Sequence, residues 1–313
     1  MCTCFRGFGI LNSARPWKRP VLKSSFGNTD GARRAYPGKG ALQLLGIRRN
    51  TVRTIEKITG TMKLVSQAQL MGATKCAREY APFFQNVEEF LKRVPAVDSA
   101  DKKTLMLLVT SNRGLCGSLN TQLVRETLNG SEVKKEQTRI AVLGDRGATT
   151  LEKKPPYHLK VLFSTHPGRS VTFIDFSQVA ELIAQQQEYD ELLIIYNKLI
   201  SNSVFVISNI TVPSAKHLQD KANALGFDFE QNKDDLFQNF YEFSVGTAVH
   251  YAFYQNAASE ILSRRNAMDG ANKNCKELKV KLGIVFNKLR QSLITTDLIE
   301  VTSGAAVVEE MGR

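Results

Sequence analysis

From Ser214 to Arg313 the chain contains no proline, so nothing in those hundred residues forces a helix to break. Leu278, Leu282, Val285 and Leu289 follow one another at 4-3-4 spacing, which keeps an apolar stripe on one helical face. Thr51, Ile55, Ile58, Met62, Val65 and Gln69 repeat the habit near the start. Both stripes are expected to form the seam where the two helices meet. Long helices at both ends of a chain, with different texture between them, define a shaft. The 3.5-residue average spacing predicts a left-handed supercoil.

Between Pro37 and Pro82 the sequence predicts one helix from Ala41 to Ala81, with the N-terminal coiled-coil region taken to residue 94. Gly60 and Gly72 each weaken it by about 1 kcal/mol relative to alanine, so packing along the seam must hold it. The pattern then changes. Leu105–Val109, Ile140–Leu143, Leu159–Phe163 and Leu192–Tyr196 read as short buried strands, with Val204–Val212 beside the last. Leu119–Leu128 and Phe173–Gln187 read as helices between them. Strands alternating with helices predict a mostly parallel sheet in an α/β domain over residues 102–214. The helical pattern returns over 233–311. The fold class is therefore α/β: a long antiparallel coiled coil of the terminal helices with an inserted Rossmann-like domain.

The formal charge of +12 is unevenly spread. Residues 1–36 carry seven basic residues against one acid, Asp30, half of the total. This basic, acid-poor, Ser-containing segment reads as an organelle transit peptide, with cleavage expected after Tyr36. What remains favours an acidic partner surface and does not require nucleic acid. No apolar run reaches the roughly 18–20 residues a bilayer-spanning helix needs. Cys76, Cys116 and Cys275 show no paired spacing and read as free thiols. The four histidines lack metal-ligand spacing.

Asn112-Arg113-Gly114-Leu115-Cys116-Gly117-Ser118 sits between a strand and a helix, where a phosphate loop would lie. It lacks the spacing of either nucleotide-binding glycine motif and the lysine of the P-loop. Cys116 has no base to activate it in the sequence. Asp297 and Glu300, three apart, read as a solvated helix face. No catalytic set, cofactor site or metal cluster is assembled, so the chain is read as non-catalytic. Two alternatives stay open: an α/β nucleotide binder with coiled-coil arms, and a basic coiled-coil nucleic-acid binder.

Four segments carry a resemblance. They are Ile55–Val65 (IEKITGTMKLV), Thr110–Gly117 (TSNRGLCG), Ser259–Lys273 and Phe286–Ala306 (FNKLRQSLITTDLIEVTSGAA). Together they resemble the gamma-subunit family of F-type ATP synthases in its mitochondrial form, and the likeness extends over everything after about Ala41. The resemblance implies a central rotor shaft at the matrix side of the mitochondrial inner membrane, peripheral to it. Its implied partners are the alpha and beta subunits of the F1 ring, delta- and epsilon-type stalk subunits, and the membrane c-ring. By the same resemblance Arg264, Arg290, Gln291 and Thr295 would meet acidic catch loops of the beta subunits. Met62 and Lys63 would face the lower ring, and Gly304–Val308 a bearing sleeve. Gly60 stands where many members carry a charge, and Lys63 where others carry acid or base.

Overall fold

The structure, a computed structural model, describes residues 39–93, 103–129, 138–152, 159–163, 172–184, 189–201, 203–224 and 233–312. The expected transit peptide lies outside them. Helix α1 runs Lys39–Glu79 and α2 runs Ala81–Arg93. The N-terminal region is thus two helices with a bend at Tyr80. Pro82 explains the break, because proline has no N–H to offer the preceding turn and is accepted only in the first turn of the next helix.

The α/β domain follows as β1 (Thr104–Val109), α3 (Leu119–Asn129), β2 (Thr138–Leu143), α4 (Asp145–Leu151), β3 (Leu159–Phe163), α5 (Phe173–Ala184), β4 (Glu191–Leu199), β5 (Phe205–Pro213) and α6 (Ala215–Ala224). The strand order is β3-β2-β1-β4-β5. The first four strands are mutually parallel, and β5 pairs antiparallel to β4. Leu107 sits between Ala141 of β2 and Ile194 of β4 in register.

Both faces of the sheet are covered, which is why its strands read as continuous apolar runs. Leu105, Leu107 and Val109 join α2, α5 and the long C-terminal helix in one core. Met106 and Leu108 point the other way, into a second core with Leu123 and Val124 of α3 and Leu151 of α4. The period of two along β1 divides its side chains between these layers.

Helix α7 spans Lys233–Met311 without a break, which at ~1.5 Å per residue makes a rod of roughly 120 Å. It passes unbroken through Gly246, Gly270, Gly283 and Gly304. Its first third is buried against the sheet and α5 through Phe237, Tyr241, Val245, Val249 and Ala252. Beyond that it pairs antiparallel with α1. Gly46 approaches the Phe286 ring, Gly60 approaches Asn272, Lys63 meets Asp269 and Gln255 reaches Ala77.

The seam is displaced by one residue from the stripe expected. On α1 the positions turned to α7 include Val52, Glu56, Thr59, Lys63, Ser66 and Leu70. Ile55, Ile58 and Val65, expected in the seam, are exposed at 43%, 51% and 55%. On α7, Leu282 and Leu289 face inward as expected, while Leu278 and Val285 lie outside, each about half exposed. The physical reason is that polar pairing fills the middle of the interface. Two interhelix ion pairs and an asparagine bridge pair partly buried polar groups across it, as a seam with polar positions needs. The more apolar stripe is left facing outward.

Candidate functional site

The middle of the coiled coil is built around Lys63. Its ammonium lies 2.7 Å from Asp269 Oδ1 across the two helices, and Lys273 reaches the other oxygen, Oδ2, at 3.1 Å. The Lys63 hydrogen bond, then that of Lys273, lowers the Asp269 pKa to about 2. Two turns of α1 away, Lys279 Nζ donates to Glu56 Oε2 at 2.9 Å. Between these pairs Asn272 Nδ2 donates to the Glu56 carbonyl at 2.8 Å and to Thr59 Oγ1 at 3.3 Å. A Cβ on Gly60 would come within 3.3 Å of that same Asn272 nitrogen. Gly60 therefore permits the close approach. Met62, next to Lys63, is half-buried.

Arg264 is turned inward. Its guanidinium pairs with Glu260 one turn back on α7 and donates to the Gly114 carbonyl at 3.3 Å. Both charged side chains are largely covered. Arg290 and Gln291 instead stand exposed on α7. Thr295 is exposed as well, with its hydroxyl bonded to the Gln291 carbonyl at 2.9 Å. The six residues thus form no single cluster. Met62, Lys63 and Arg264 belong to the middle of the shaft, and Arg290, Gln291 and Thr295 to its upper part. Beyond them α7 outruns α1, and Leu298, Ile299, Val301, Val307 and Val308 are all exposed.

The turn after β1 is docked onto α7. Ser263 Oγ donates to the Cys116 carbonyl at 2.6 Å, and Gly117 adopts φ 63° facing Ser263 and Ala267. An added Cβ there would be conformationally strained. Leu115 also has φ 63° and is 64% exposed at the tip of the turn. Cys116 is a buried free thiol. Its sulfur accepts from Asn120 Nδ2 at 3.4 Å and lies 3.7 Å from Ser111 Oγ, with no histidine or carboxylate among these partners. Two carbonyls of the turn, those of Gly114 and Cys116, are thus tied to α7, while Arg113, Leu115, Gly117 and Ser118 stay exposed.

His250 lies buried among the rings of Tyr80, Phe176 and Tyr254. Burial lowers its proton affinity, and these contacts are packing contacts at the α1–α2 bend. Among the described residues no cluster of His, Cys, Asp and Glu could hold a metal ion, and no helix is long and apolar enough to cross a membrane. Sequence reading missed a row of polar residues on α7, namely Gln255, Asn256, Ser259 and Ser263. Its signal was present as polar positions on one face of a helix otherwise apolar at that depth.

Two long helices paired antiparallel, carrying an α/β domain bonded to the longer of them at the turn after β1 and at β4, define a structural shaft subunit that works through its partners. Residues 41–308 match the protein family described as ATP synthase. The mitochondrial ATP synthase subunit gamma of Yarrowia lipolytica is 31% identical over 308 residues, covering 96% of this chain and 100% of the relative. That of Drosophila melanogaster is 30% identical, covering 87% and 92%. In fold, the chain superposes on one from the Euglena gracilis mitochondrial ATP synthase with a TM-score of 0.75 at 21% identity, over 88% of this chain and 97% of that one. A chain from the central stalk and c-ring structure of the Tetrahymena thermophila enzyme gives 0.60 at 24%, over 68% and 99%. The chain belongs to the ATP synthase gamma-subunit family.

Proposed function

We propose that this chain is the central rotor shaft of a mitochondrial F1Fo ATP synthase. It couples proton-driven rotation of the c-ring to the conformational cycling of the beta-subunit catalytic sites. The observation that carries this is the asymmetry of α7: one end is buried in the α/β domain, the middle is paired with α1, and among the described residues the last part runs on past α1. A single helix that joins a broad foot to a slender tip transmits rotation from one to the other. The subunit is non-catalytic, and nucleotide chemistry belongs to the ring around it.

A rotating shaft has to avoid any angle at which it binds too tightly. Its outer surface fits that demand. Exposed apolar residues such as Ile58, Val65, Ile284 and Val308 make non-directional contacts, with few charges among them near the tip. Polar contacts at Arg290, Gln291 and Thr295 are then the points where beta-subunit carboxylates are engaged. Arg290 is suited to this because a guanidinium pairs with a carboxylate bidentately. Met62 and Lys63 face the lower ring in the same reading. Arg264 sits among them as the residue that ties the shaft to the turn at Gly114. The foot meets the delta- and epsilon-type subunits and the c-ring, on the matrix side of the inner membrane. Residues 1–36 are the import signal.

Against the competing nucleotide-binding reading stands the contact of α7 with both sides of the crevice, through Ser263 at the turn after β1 and Ser259 at β4. The test is purification of the tagged full-length chain from its own cells, with mass spectrometry of partners and of the bait terminus. Stoichiometric alpha and beta subunits with a bait beginning near Pro37 are expected. A bait recovered alone, with its N-terminus intact, overturns the rotor reading.

A further inference from the structure

In open α/β sheets, ligands bind beyond the C-terminal ends of the strands where the strand order reverses. With the order β3-β2-β1-β4-β5, that point here lies past β1 and β4. It is filled by α7. Ser263 Oγ donates to the Cys116 carbonyl in the turn after β1 at 2.6 Å. Ser259 Oγ donates to the Asn197 carbonyl on β4 at 3.0 Å, and Asn197 Nδ2 donates to Asn256 Oδ1 at 2.8 Å. The Leu199 amide donates to Gln255 Oε1 at 3.2 Å, while Gln255 Nε2 reaches the Ala77 carbonyl of α1 at 3.4 Å. Gln255, Asn256, Ser259 and Ser263 are all buried, as is Asn197.

We propose that Gln255, Asn256, Ser259 and Ser263 form the joint that carries torque between the α/β domain and the two-helix shaft. The proposal rests on the shaft reading above. The apolar packing of α7 residues 237–252 against the sheet holds the parts together, but apolar contact is non-directional and does little against sliding or turning of the helix about its axis. Hydrogen bonds are directional, and these reach β4 and the turn after β1. They therefore resist rotation as well as separation. Gln255 adds the second shaft helix, since the same side chain bonds to β4 and to α1. A crevice that elsewhere holds a ligand here holds the chain's own drive helix.

The test uses the assembled complex with its ring fixed and a bead on the α/β domain, and reads torsional stiffness from angular fluctuations during pauses. Ser259→Ala with Ser263→Ala is expected to lower stiffness by roughly a third to a half, treating the contacts as springs acting together. Ser244→Ala is the control, because Ser244 is equally buried on α7 and its hydroxyl has no partner. Unchanged stiffness in the double variant overturns the proposal, as does equal softening by Ser244→Ala. Wild-type complex that fails to rotate the bead defeats the shaft reading instead. If the double variant does not assemble, hydrogen exchange in the full chain decides with Gln255→Leu. The Leu199 amide should then exchange several-fold faster, and unchanged exchange there counts against the joint.

Discussion

Lys63 Nζ and Asp269 Oδ1 meet at 2.7 Å between two helices whose pairing is otherwise set by a narrow seam. Their contact fixes which turn of α1 faces which turn of α7. The Asp269 carboxyl has its pKa lowered to about 2 by Lys63 first and Lys273 second. Its folded value lies below the unfolded one, so the contribution is fully present above the ordinary carboxylate pKa and is lost as pH falls from about 4 through 2. Lys63→Met should lower Tm at neutral pH and remove part of that acid dependence. Exchanging the charges, with Lys63→Asp and Asp269→Lys together, should recover only part of the lost Tm, because Lys273 then loses its carboxylate partner. Thermal melts at pH 7 and pH 3 check both statements, and high salt should shrink the difference because the pair is partly exposed.

Arg290→Ala separates coupling from folding. The side chain is exposed on α7, so the stability of the chain should change by no more than about 0.5 kcal/mol. If Arg290 engages beta-subunit carboxylates, the assembled complex should show weakened torque or coupling while the subunit melts normally. Normal coupling and turnover in the variant would remove this role.

The element types were largely legible in the sequence, because strands buried on both faces and proline-free amphipathic helices leave strong local patterns. Leu105–Val109 and Ile140–Leu143 lie inside β1 and β2. Two short helices, Asp145–Leu151 and Ala215–Ala224, left too little periodicity to be found. The seam was misjudged by one residue because hydrophobicity alone cannot separate a surface that packs within the chain from one kept for partners. Ile55 and Val65 are more apolar than Glu56 and Ser66, yet the latter pair faces α7. Arg290, Gln291 and Thr295 are exposed, and no local pattern marks them for contact; the role proposed for them comes only from the family resemblance. The inward turn of Arg264 depends on the Gly114 carbonyl, 150 residues away in the chain.

The displaced seam makes a direct prediction. Leu70 is buried at the α1–α7 interface, whereas Leu64 is 69% exposed. Leu70→Ala should destabilise the isolated chain by about 2–5 kcal/mol through lost burial and a residual cavity. Leu64→Ala should cost no more than about 0.5 kcal/mol. Chemical denaturation of Leu70→Ala beside Val65→Ala decides between the seams, since the expected stripe places Val65 inside whereas it is 55% exposed.

Gly60 and Asn272 should behave as a coupled pair. Asn272→Ala removes two interhelix hydrogen bonds and should cost on the order of 1–2 kcal/mol. Gly60→Ala gains about 1 kcal/mol of helix propensity, but its Cβ would stand 3.3 Å from Asn272 Nδ2 and displace that side chain. The gain should therefore be close to cancelled in wild type and recovered when Asn272 is alanine. A double-mutant cycle by denaturant unfolding should show a coupling of at least about 0.5 kcal/mol. Additive effects would show that Asn272 moves aside without loss.

Tyr189 and Tyr241 of α7 share a 2.6 Å hydroxyl contact, and Tyr189 also donates to the Ile183 carbonyl at 3.0 Å. Tyr241 is therefore the donor within the pair. Burial raises the Tyr189 pKa to about 12 and pushes that of Tyr241 well up. Both folded values exceed the unfolded one, so their contribution is fully present below about pH 10 and is lost as pH rises through 12. The foot of the shaft should accordingly release these phenolic protons only on unfolding. Tyrosinate absorbance and far-UV circular dichroism followed together above pH 10 should show the late-titrating tyrosines ionising with loss of helix. In Tyr241→Phe the donor to Tyr189 is gone, and a loss of about 1 kcal/mol at neutral pH is expected. Ionisation of Tyr189 at pH 10 with helix intact would mean that water reaches the core beneath α7.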